Sequence, residues 1–230
     1  MQFEWIKIPY ALLTLFIVVN YGMLLGAFIQ KIGARVGRRH GVPIWQNYAD
    51  LIKNYGLRTS ITHGVMFYLG PVFRLTGGIG LLLFVPTLYG SEMFSNLSFA
   101  GDLILALYFV FFGTLGMALG AAESGHPHSA IGITRGLSQV TMAELPFALA
   151  VFAVALQYQT LSVTDIVAAQ QGGIQNWTLF TNPVAVVAAM IGFLGSMMRP
   201  PFDVVIAPQE IPIGPPTEYH SSYLALMQTN

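Results

Sequence analysis

The chain alternates between long apolar runs and shorter segments that hold most of the charged residues. A bilayer core about 30 Å thick is crossed by roughly 20 helical residues, and several runs reach or approach that length. We expect membrane-spanning helices at about 9–30, 65–89, 103–122, 137–158 and 183–198, with the start of a sixth from 219. The pattern predicts an all-α, polytopic integral membrane helix bundle that forms a single domain over residues 1–230.

A shorter amphipathic segment follows the first span. Pro43 suits the first turn of a helix, and the residues after it separate into two faces at helical spacing. The apolar face consists of Ile44, Tyr48, Leu51, Ile52 and Tyr55, with Trp45 at its edge, and the polar face of Gln46, Asn47, Asp50, Lys53 and Asn54. We expect an amphipathic helix at about 43–56, lying at the membrane interface or against neighbouring spans. A surface helix of a soluble insertion is the alternative.

Composition agrees with a membrane protein. Hydrophobic residues make up 54% of the chain and charged residues 9%, whereas soluble proteins carry about 25% charged residues. The chain has no cysteine, which excludes disulfides, thiolate zinc sites and cysteine-ligated iron–sulfur clusters in it. If electrons pass nearby, another polypeptide carries them.

Basic residues are concentrated around the first connection. Seven of the ten fall within 44 residues, and they are Lys31, Arg35, Arg38, Arg39, Lys53, Arg58 and Arg74. Such a cluster can bind nucleic acid, but its position between two apolar runs is better explained by membrane topology. Alternation of the spans then places nine of the ten basic residues inside and Lys7 outside. We expect a multi-pass protein of the prokaryotic cytoplasmic (inner) membrane with its basic loops facing the cytoplasm, and no nucleic-acid partner.

Glycines recur at helical spacing within the predicted spans, a pattern that lets helix backbones approach closely. They are Gly22, Gly26, Gly77, Gly78, Gly80, Gly116 and Gly120. We expect a tightly packed bundle or a subunit interface. No internal repeat is evident, which weakens the case for an inverted-repeat transporter.

Three charged residues are candidates for a proton path. Glu144 lies roughly 12 Å along the fourth span, where an ionised carboxylate is costly unless it is paired, hydrated or protonated. Arg74 lies near the start of the second span and Glu123 near the end of the third. A structural hydrogen bond or ion pair is the alternative for Glu144, and extension to the headgroups is the alternative for Arg74.

Two inner segments hold further candidate groups. The segment after the fifth span is rich in proline and mixes apolar residues with Asp203, Glu210 and Glu218, which predicts an ordered docking surface or cavity lining. His126 and His128 precede the fourth span, but two histidines without a third ligand are a weak metal signal. We predict no metal site and no catalytic residue.

Three of the predicted cytoplasmic stretches resemble one family, the core membrane subunit shared by respiratory complex I and the energy-converting hydrogenases. They are ARVGRRHGVPIWQNYADLIK (34–53), SAIGITRGLSQVTMAELP (129–146) and RPPFDVVIAPQEIPIGPPTEY (199–219). The doubled arginine followed by Gly41, Pro43 and Gln46 is more similar to the hydrogenase branch than to the quinone-reducing branch.

The third stretch departs from the family pattern. In the family, glutamates usually stand three, five and seven residues after the loop aspartate, and here those positions hold Ile206, Pro208 and Glu210. The family also has about eight spans, so we expect either a shortened relative or part of a longer chain.

The resemblance implies a subunit that anchors a peripheral redox arm through its inner loops and begins a polar path for ion pumping. The docking or cavity residues it implies are Arg35, Arg38, Arg39, Trp45, Gln46, Arg135, Arg199, Phe202, Asp203, Glu210, Glu218 and Tyr219. Iron–sulfur clusters, with or without a nickel–iron centre, would belong to peripheral hydrogenase small- and large-like subunits. Antiporter-like membrane subunits would be further partners, and this chain itself would bind no cofactor.

The leading hypothesis is therefore a membrane-anchor and coupling subunit of an energy-converting hydrogenase or a related complex. The second is the quinone-site subunit of a complex I-like NADH/quinone oxidoreductase, with Trp45 and Phe202 against the quinone. The third is a stand-alone ion transporter or channel, which would need no partners.

Overall fold

The computed structural model describes residues 7–58, 63–91, 93–198, 201–205 and 214–228. Every regular element within these ranges is helical. The helices are α1 (Lys7–Val36), α2 (Gln46–Gly56), α3 (Val65–Phe84), α4 (Asp102–Glu123), α5 (Pro127–Tyr158), α6 (Val163–Ala169), α7 (Thr178–Thr181), α8 (Pro183–Ser196) and α9 (Ser221–Gln228), with a 3-10 turn at Ile174–Asn176. The predicted all-α fold class is confirmed.

Four helices (α1, α3, α4 and α5) are long and apolar enough to cross a membrane, and α8 is a shorter apolar helix of 14 residues. Their outward surfaces carry large apolar side chains, among them Phe16, Met142, Leu156 and Val184, which are 66%, 80%, 77% and 78% exposed. Such surfaces need lipid or another apolar protein against them. The chain is a multi-pass membrane protein.

Hydrogen bonds at the two ends of the bundle show that successive long helices alternate in direction. At one end, Glu123 at the close of α4 accepts a hydrogen bond from the Phe67 amide in the first turn of α3. At the other end, Asp102 at the start of α4 accepts from the Val163 amide, just beyond the end of α5. The first of these ends also holds the carboxyl terminus of α1 with its basic residues, and we call it the basic end.

Helices α3 and α4 make the closest backbone contact. A methyl group added at Gly70 would lie 2.7 Å from the Gly116 carbonyl oxygen, and one added at Gly77 would lie 2.7 Å from the Gly113 amide nitrogen. Only glycine permits this approach, because any side chain would separate the backbones. The expectation of glycine-mediated packing holds at this interface, whereas Gly22 on α1 has no neighbour within 4 Å of an added methyl group.

The second close pair is α5 with α8. A methyl group at Gly192 would lie 2.8 Å from the Phe147 Cβ atom, and one at Gly195 would lie 2.7 Å from the Ala143 Cβ atom. Helices α4 and α5 also pack together, so the two close pairs form one continuous bundle. Helix α9 packs against α2 and α3 at the basic end.

The structure differs from the predicted boundaries at several helix ends, among them the start of α5 and the end of α3. Helix α5 begins at Pro127, so Arg135 lies on a helix and not in a loop; Pro127 at the first position and His126, whose side chain accepts from the His128 amide, start it early. Helix α3 ends at Phe84 and not near 89, since Pro86 has no backbone N–H with which to continue the helical hydrogen bonds. The Asn96 side chain donates to the Leu82 and Val85 carbonyls and so supplies hydrogen-bond partners to the backbone carbonyls at the end of α3.

The amphipathic helix also differs in which face it buries. Helix α2 starts at Gln46, three residues after Pro43, and Ile52 on its predicted apolar face is 72% exposed. Asn47 of the predicted polar face contacts α1 together with Tyr48 of the predicted apolar face: the Asn47 amide donates to the Met23 carbonyl (3.0 Å), and the Tyr48 hydroxyl donates to the Asn20 side chain (3.0 Å). Hydrophobic periodicity does not register such polar pairing, which is favourable between apolar helices because water is absent there.

The α3–α4 contact yields a direct test. Gly116→Ala places a methyl group 2.6 Å from the Arg74 amide nitrogen and 2.7 Å from the Gly70 carbonyl oxygen, so we expect it to lower the free energy of unfolding by about 1–3 kcal/mol. Gly22→Ala is the matched control, since the added methyl group meets nothing and alanine is favoured in helices by roughly 0.5–1 kcal/mol. Unfolding of the detergent-solubilised protein, followed by circular dichroism, measures both. Equal effects of the two changes would contradict glycine-mediated packing.

Candidate functional site

A cavity of about 360 Å³ lies between the middle parts of α3 and α4 and the segment that follows α8. Arg74 of α3 and Asp203 of the following segment both line it, as does Thr114 of α4. The structure therefore brings together two residues that the sequence analysis assigned to different roles. Arg74 was a candidate for the proton path, and Asp203 was a candidate for the docking or cavity loops. The cavity therefore holds a cation and a carboxylate in walls that are otherwise mostly apolar.

Arg74 is held in this cavity by the close packing of α3 on α4. Its backbone lies against Gly116, and its Nη1 atom lies 3.1 Å from the sulfur of Met117, the next residue of α4. The side chain is half-buried. Arg74 is thus fixed on the bundle side of the cavity and does not extend away to the headgroups.

Asp203 is positioned by anchors on both sides of it. The Gln139 side chain on α5 donates to the Phe202 carbonyl (2.6 Å) and to the Gly195 carbonyl at the end of α8 (2.9 Å). On the other side, Val205 is 2% exposed and packs against Gly136 of α5. Residues 201–205 are therefore anchored to α5 and α8, and the Asp203 side chain is half-buried at the cavity wall.

Thr114 connects the cavity to Glu144. The threonine lines the cavity, and the Glu144 carboxyl group on α5 lies near its hydroxyl. The same hydroxyl donates to the Phe111 carbonyl at 2.7 Å. Glu144 lies near the middle of the 32-residue helix α5, so its carboxyl group stands beside the cavity well inside the predicted span.

Glu123, the third residue assigned to the proton path, caps a helix. Its Oε2 atom accepts a hydrogen bond from the Phe67 amide at 2.6 Å, and Gly64 at the N-cap of α3 has no side chain to make that bond. A methyl group at Gly64 would overlap the carboxylate. Glu123 satisfies one of the free amides of α3 and lies at its positive end.

Tyr219, assigned to a docking or cavity surface, lies instead in the core. It is 4% exposed, its ring stacks on Phe67 with centroids 4.2 Å apart, and its hydroxyl donates to the Phe67 carbonyl at 2.9 Å. Gly120 makes room for that hydroxyl, since a methyl group there would overlap it. Tyr219 fixes the chain after the proline-rich loop against α3 and α4.

The remaining candidates occupy separate positions around the basic end. Glu218 lies 4.0 Å from His126 at the start of α5, and Trp45 is 70% exposed before α2. Gln46 donates to Asp50 of the same helix at 2.8 Å, so its amide is engaged within α2. Arg35, Arg38 and Arg39 are exposed together at the end of α1. Arg199 and Glu210 lie outside the described residues.

Among the residues that the structure describes, no group of three or more His, Asp or Glu side chains is placed to hold a metal ion. His126 and His128 lie close, with ring centroids 5.2 Å apart. His126 is engaged through its Nδ1 atom, which accepts from the His128 amide.

Sequence reasoning missed two residues of this site. Gln139 could have been recognised from the sequence, because an amide side chain within an apolar span needs hydrogen-bond partners. Thr114 had none, since a lone threonine in a span most often donates to its own helix. Only the packing of α4 on α5 places Glu144 near Thr114.

Comparisons with known proteins identify relatives over nearly the whole chain. A family model described as NADH dehydrogenase matches residues 8–230. An NADH-quinone oxidoreductase subunit of Carboxydothermus hydrogenoformans is 29% identical over 225 residues, which cover 95% of this chain and 61% of that protein. The chain thus spans about three fifths of the length of this curated relative.

A solved structure is also similar. A chain of the membrane-bound sulfane sulfur reductase, an archaeal respiratory membrane complex, superposes with a TM-score of 0.85 at 32% identity, covering 97% of this chain and 73% of that one. The family resemblance read from the three inner stretches is confirmed by these matches.

Proposed function

Because the chain belongs to the NADH dehydrogenase family, we propose that it is a membrane-anchor and coupling subunit of an energy-converting hydrogenase or a related respiratory complex. In this role it docks a peripheral iron–sulfur arm and links the chemistry of that arm to proton or sodium translocation. The chain is a non-catalytic subunit, and the electron carriers reside in its partners. Its basic end faces the cytoplasm, in keeping with the concentration of basic residues there.

One observation carries the proposal: a single cavity brings the carboxylate of an inner loop close to polar side chains of the membrane-spanning helices. Asp203 and Arg74 line the same space, and Thr114 links that space to Glu144 in the middle of α5. A partner docked on the loop at 201–205 thus lies against one wall of a compartment whose other wall leads into the membrane. An ordinary structural ion pair would need no cavity of about 360 Å³ around it.

Coupling in this arrangement is electrostatic. A change of charge or loop position near Asp203 alters the field at Arg74, and the altered field changes the proton affinity of the carboxyl group beyond Thr114. Interactions between charges are strong in such a site, because the apolar bundle screens them less than water does. Redox events in the docked arm therefore change the proton affinity of Glu144 without any redox centre in this chain.

The Thr114 hydroxyl suits both protonation states of Glu144. When the hydroxyl donates to the Phe111 carbonyl, its lone pairs accept from a protonated Glu144. When it rotates toward Glu144, it donates to the ionised carboxylate, and the Phe111 carbonyl keeps its helical bond. One rotatable hydroxyl thus supplies a partner before and after the proton moves.

The alternative function is the quinone-site subunit of a complex I-like enzyme. It is favoured by the 29% identity to a protein whose name makes it part of an NADH-quinone oxidoreductase. Trp45 is 70% exposed and free to contact a ring or isoprenoid tail. Quinone bound stoichiometrically to the purified complex would support this alternative.

Purification in mild detergent tests the proposal as a whole. We expect a tagged chain to bring down iron–sulfur subunits and further membrane subunits, identified by mass spectrometry, with iron detected by elemental analysis. Changing Asp203 to Lys reverses the charge at the cavity wall and is expected to weaken retention of the peripheral arm. A chain that purifies alone and transports ions in liposomes would overturn the proposal in favour of a stand-alone transporter.

Glu144→Gln tests the carboxylate in the membrane path. The amide is close in size but cannot be ionised, so we expect ion translocation by the reconstituted complex to fall while subunit composition stays unchanged. Asp165→Asn is the matched control, because it makes the same chemical change at an exposed site at the opposite end of the bundle. Translocation that is unchanged in the Glu144 variant would remove this residue from the mechanism.

Thr114 variants separate proton relay from packing. Thr114→Val keeps the shape of the side chain and removes the hydroxyl, so we expect translocation to slow roughly tenfold or more, as for loss of a proton-transfer group. Thr114→Ser restores the hydroxyl and should recover most of the rate. If valine and serine variants behave alike in vesicle pH-gradient assays, the hydroxyl has no part in the path.

A further inference from the structure

Three arginines and a histidine form a concave surface at the end of α1. Arg35, Arg38, Arg39 and His40 line a hollow of about 310 Å³, which we call the arginine cup. Within the described part of the chain, no carboxylate forms an ion pair with any of these arginines. Guanidinium groups held around one hollow repel one another unless an anion lies between them.

The backbone holds the cup in an unusual conformation. The Arg38 amide bonds to the Arg35 carbonyl (3.0 Å) and the Arg39 amide to the Ala34 carbonyl (2.7 Å), the hydrogen bonds of a Schellman helix end. Glycine usually occupies the left-handed position of that motif, but here it is Arg38, at φ +54°, although Gly37 is its neighbour. The motif thereby fixes the backbone of Arg38 and Arg39 at the end of α1.

The length of α1 places the cup at the membrane surface. The helix has 30 residues and is therefore roughly 45 Å long, which equals the thickness of a bilayer including both headgroup layers. Its charged residues lie only at its ends, Lys7 at one and Lys31 and Arg35 at the other. When Lys7 lies at the outer headgroups, the cup lies at the inner ones.

An exposed apolar track runs along α1 to the cup. Leu25, Phe28, Ile29, Ile32 and Val36 are 41%, 52%, 60%, 47% and 81% exposed. Several of these residues are spaced three or four apart and share one side of the helix. The cup and the track together present a cationic head site above a hydrophobic surface that follows the membrane normal.

We propose that the arginine cup binds the phosphate diester of an anionic membrane lipid, with the acyl chains of that lipid along the α1 track. Arginine suits this role because its planar guanidinium donates two parallel hydrogen bonds to phosphate oxygens. The inference assigns to a lipid three arginines that the family resemblance had placed at a partner-docking surface. It stands independently of the proposed coupling function.

The track is what favours a lipid over the other anions. A free phosphate ion fits the charge of the cup but makes no use of the apolar side chains below it. An acidic segment of a peripheral protein would approach from the aqueous side and would not reach the track. A lipid satisfies the cationic and the apolar parts in one molecule.

Native mass spectrometry of the full chain, with whatever subunits co-purify, tests the proposal. The delipidated protein is mixed with phosphatidylglycerol or phosphatidylcholine of identical acyl chains, and the fraction that retains one lipid is measured. We expect phosphatidylglycerol to be preferred. Arg38→Ala/Arg39→Ala should reduce that preference by about 25-fold, because each basic residue near an anionic surface contributes roughly a fivefold factor.

Lys53→Ala/Arg58→Ala is the matched control, since it removes two exposed basic charges that lie after α1 and outside the cup. Equal retention of the two lipids would overturn the proposal, as would an equal loss of preference in the control variant. Competition by inorganic phosphate at the concentration of the lipid would reassign the cup to a free anion. Loss of a peripheral subunit from the arginine variant, with lipid retention intact, would reassign it to protein docking.

Discussion

At the α3–α4 interface, Gly70 and Gly77 of one helix meet Gly113 and Gly116 of the other with no side chain between the backbones. This contact determines where the polar groups of the bundle lie. Because the Arg74 backbone is pressed against α4 at Gly116, its side chain extends along the interface to Met117 and the cavity. A wider spacing between the helices would let lipid or apolar side chains fill the space that Arg74, Thr114 and Asp203 now surround.

The segments that connect the helices at the basic end are part of the bundle interior. Val205 and Tyr219 are among its most buried residues, and both belong to the same core cluster as Phe67 of α3, Met117 of α4 and Ile133 of α5. Loop and helices therefore move together, since a shift of the loop must disturb this shared core. The proposed coupling role relies on this connection, because in that proposal a partner that moves the loop also acts on the cavity.

The polar residues of the bundle fall into two kinds. Glu123, Gln139 and Asn96 satisfy backbone groups at helix ends and loops, and their loss would leave unpaired groups where water is scarce. Arg74, Asp203, Thr114 and Glu144 instead line or border the cavity. The sequence alone could not distinguish the structural role of Glu123 from the position of Glu144 beside the cavity, since both are carboxylates in or beside predicted spans. Their neighbours distinguish them.

The sequence by itself determined the fold class, the approximate spans, the family and the side on which basic residues gather. These follow from the length of apolar runs and from local motifs, because the cost of exposing backbone and charge to lipid acts on each segment separately. Only the tertiary structure decided that Tyr219 is a core residue, that Asn47 and not Ile52 faces α1, and that Thr114 lies between Glu144 and the Arg74–Asp203 cavity. Each of these depends on the rotation and spacing of one helix against another. That geometry is set by glycine contacts and hydrogen bonds between residues far apart in the chain, which hydropathy along a single segment does not encode.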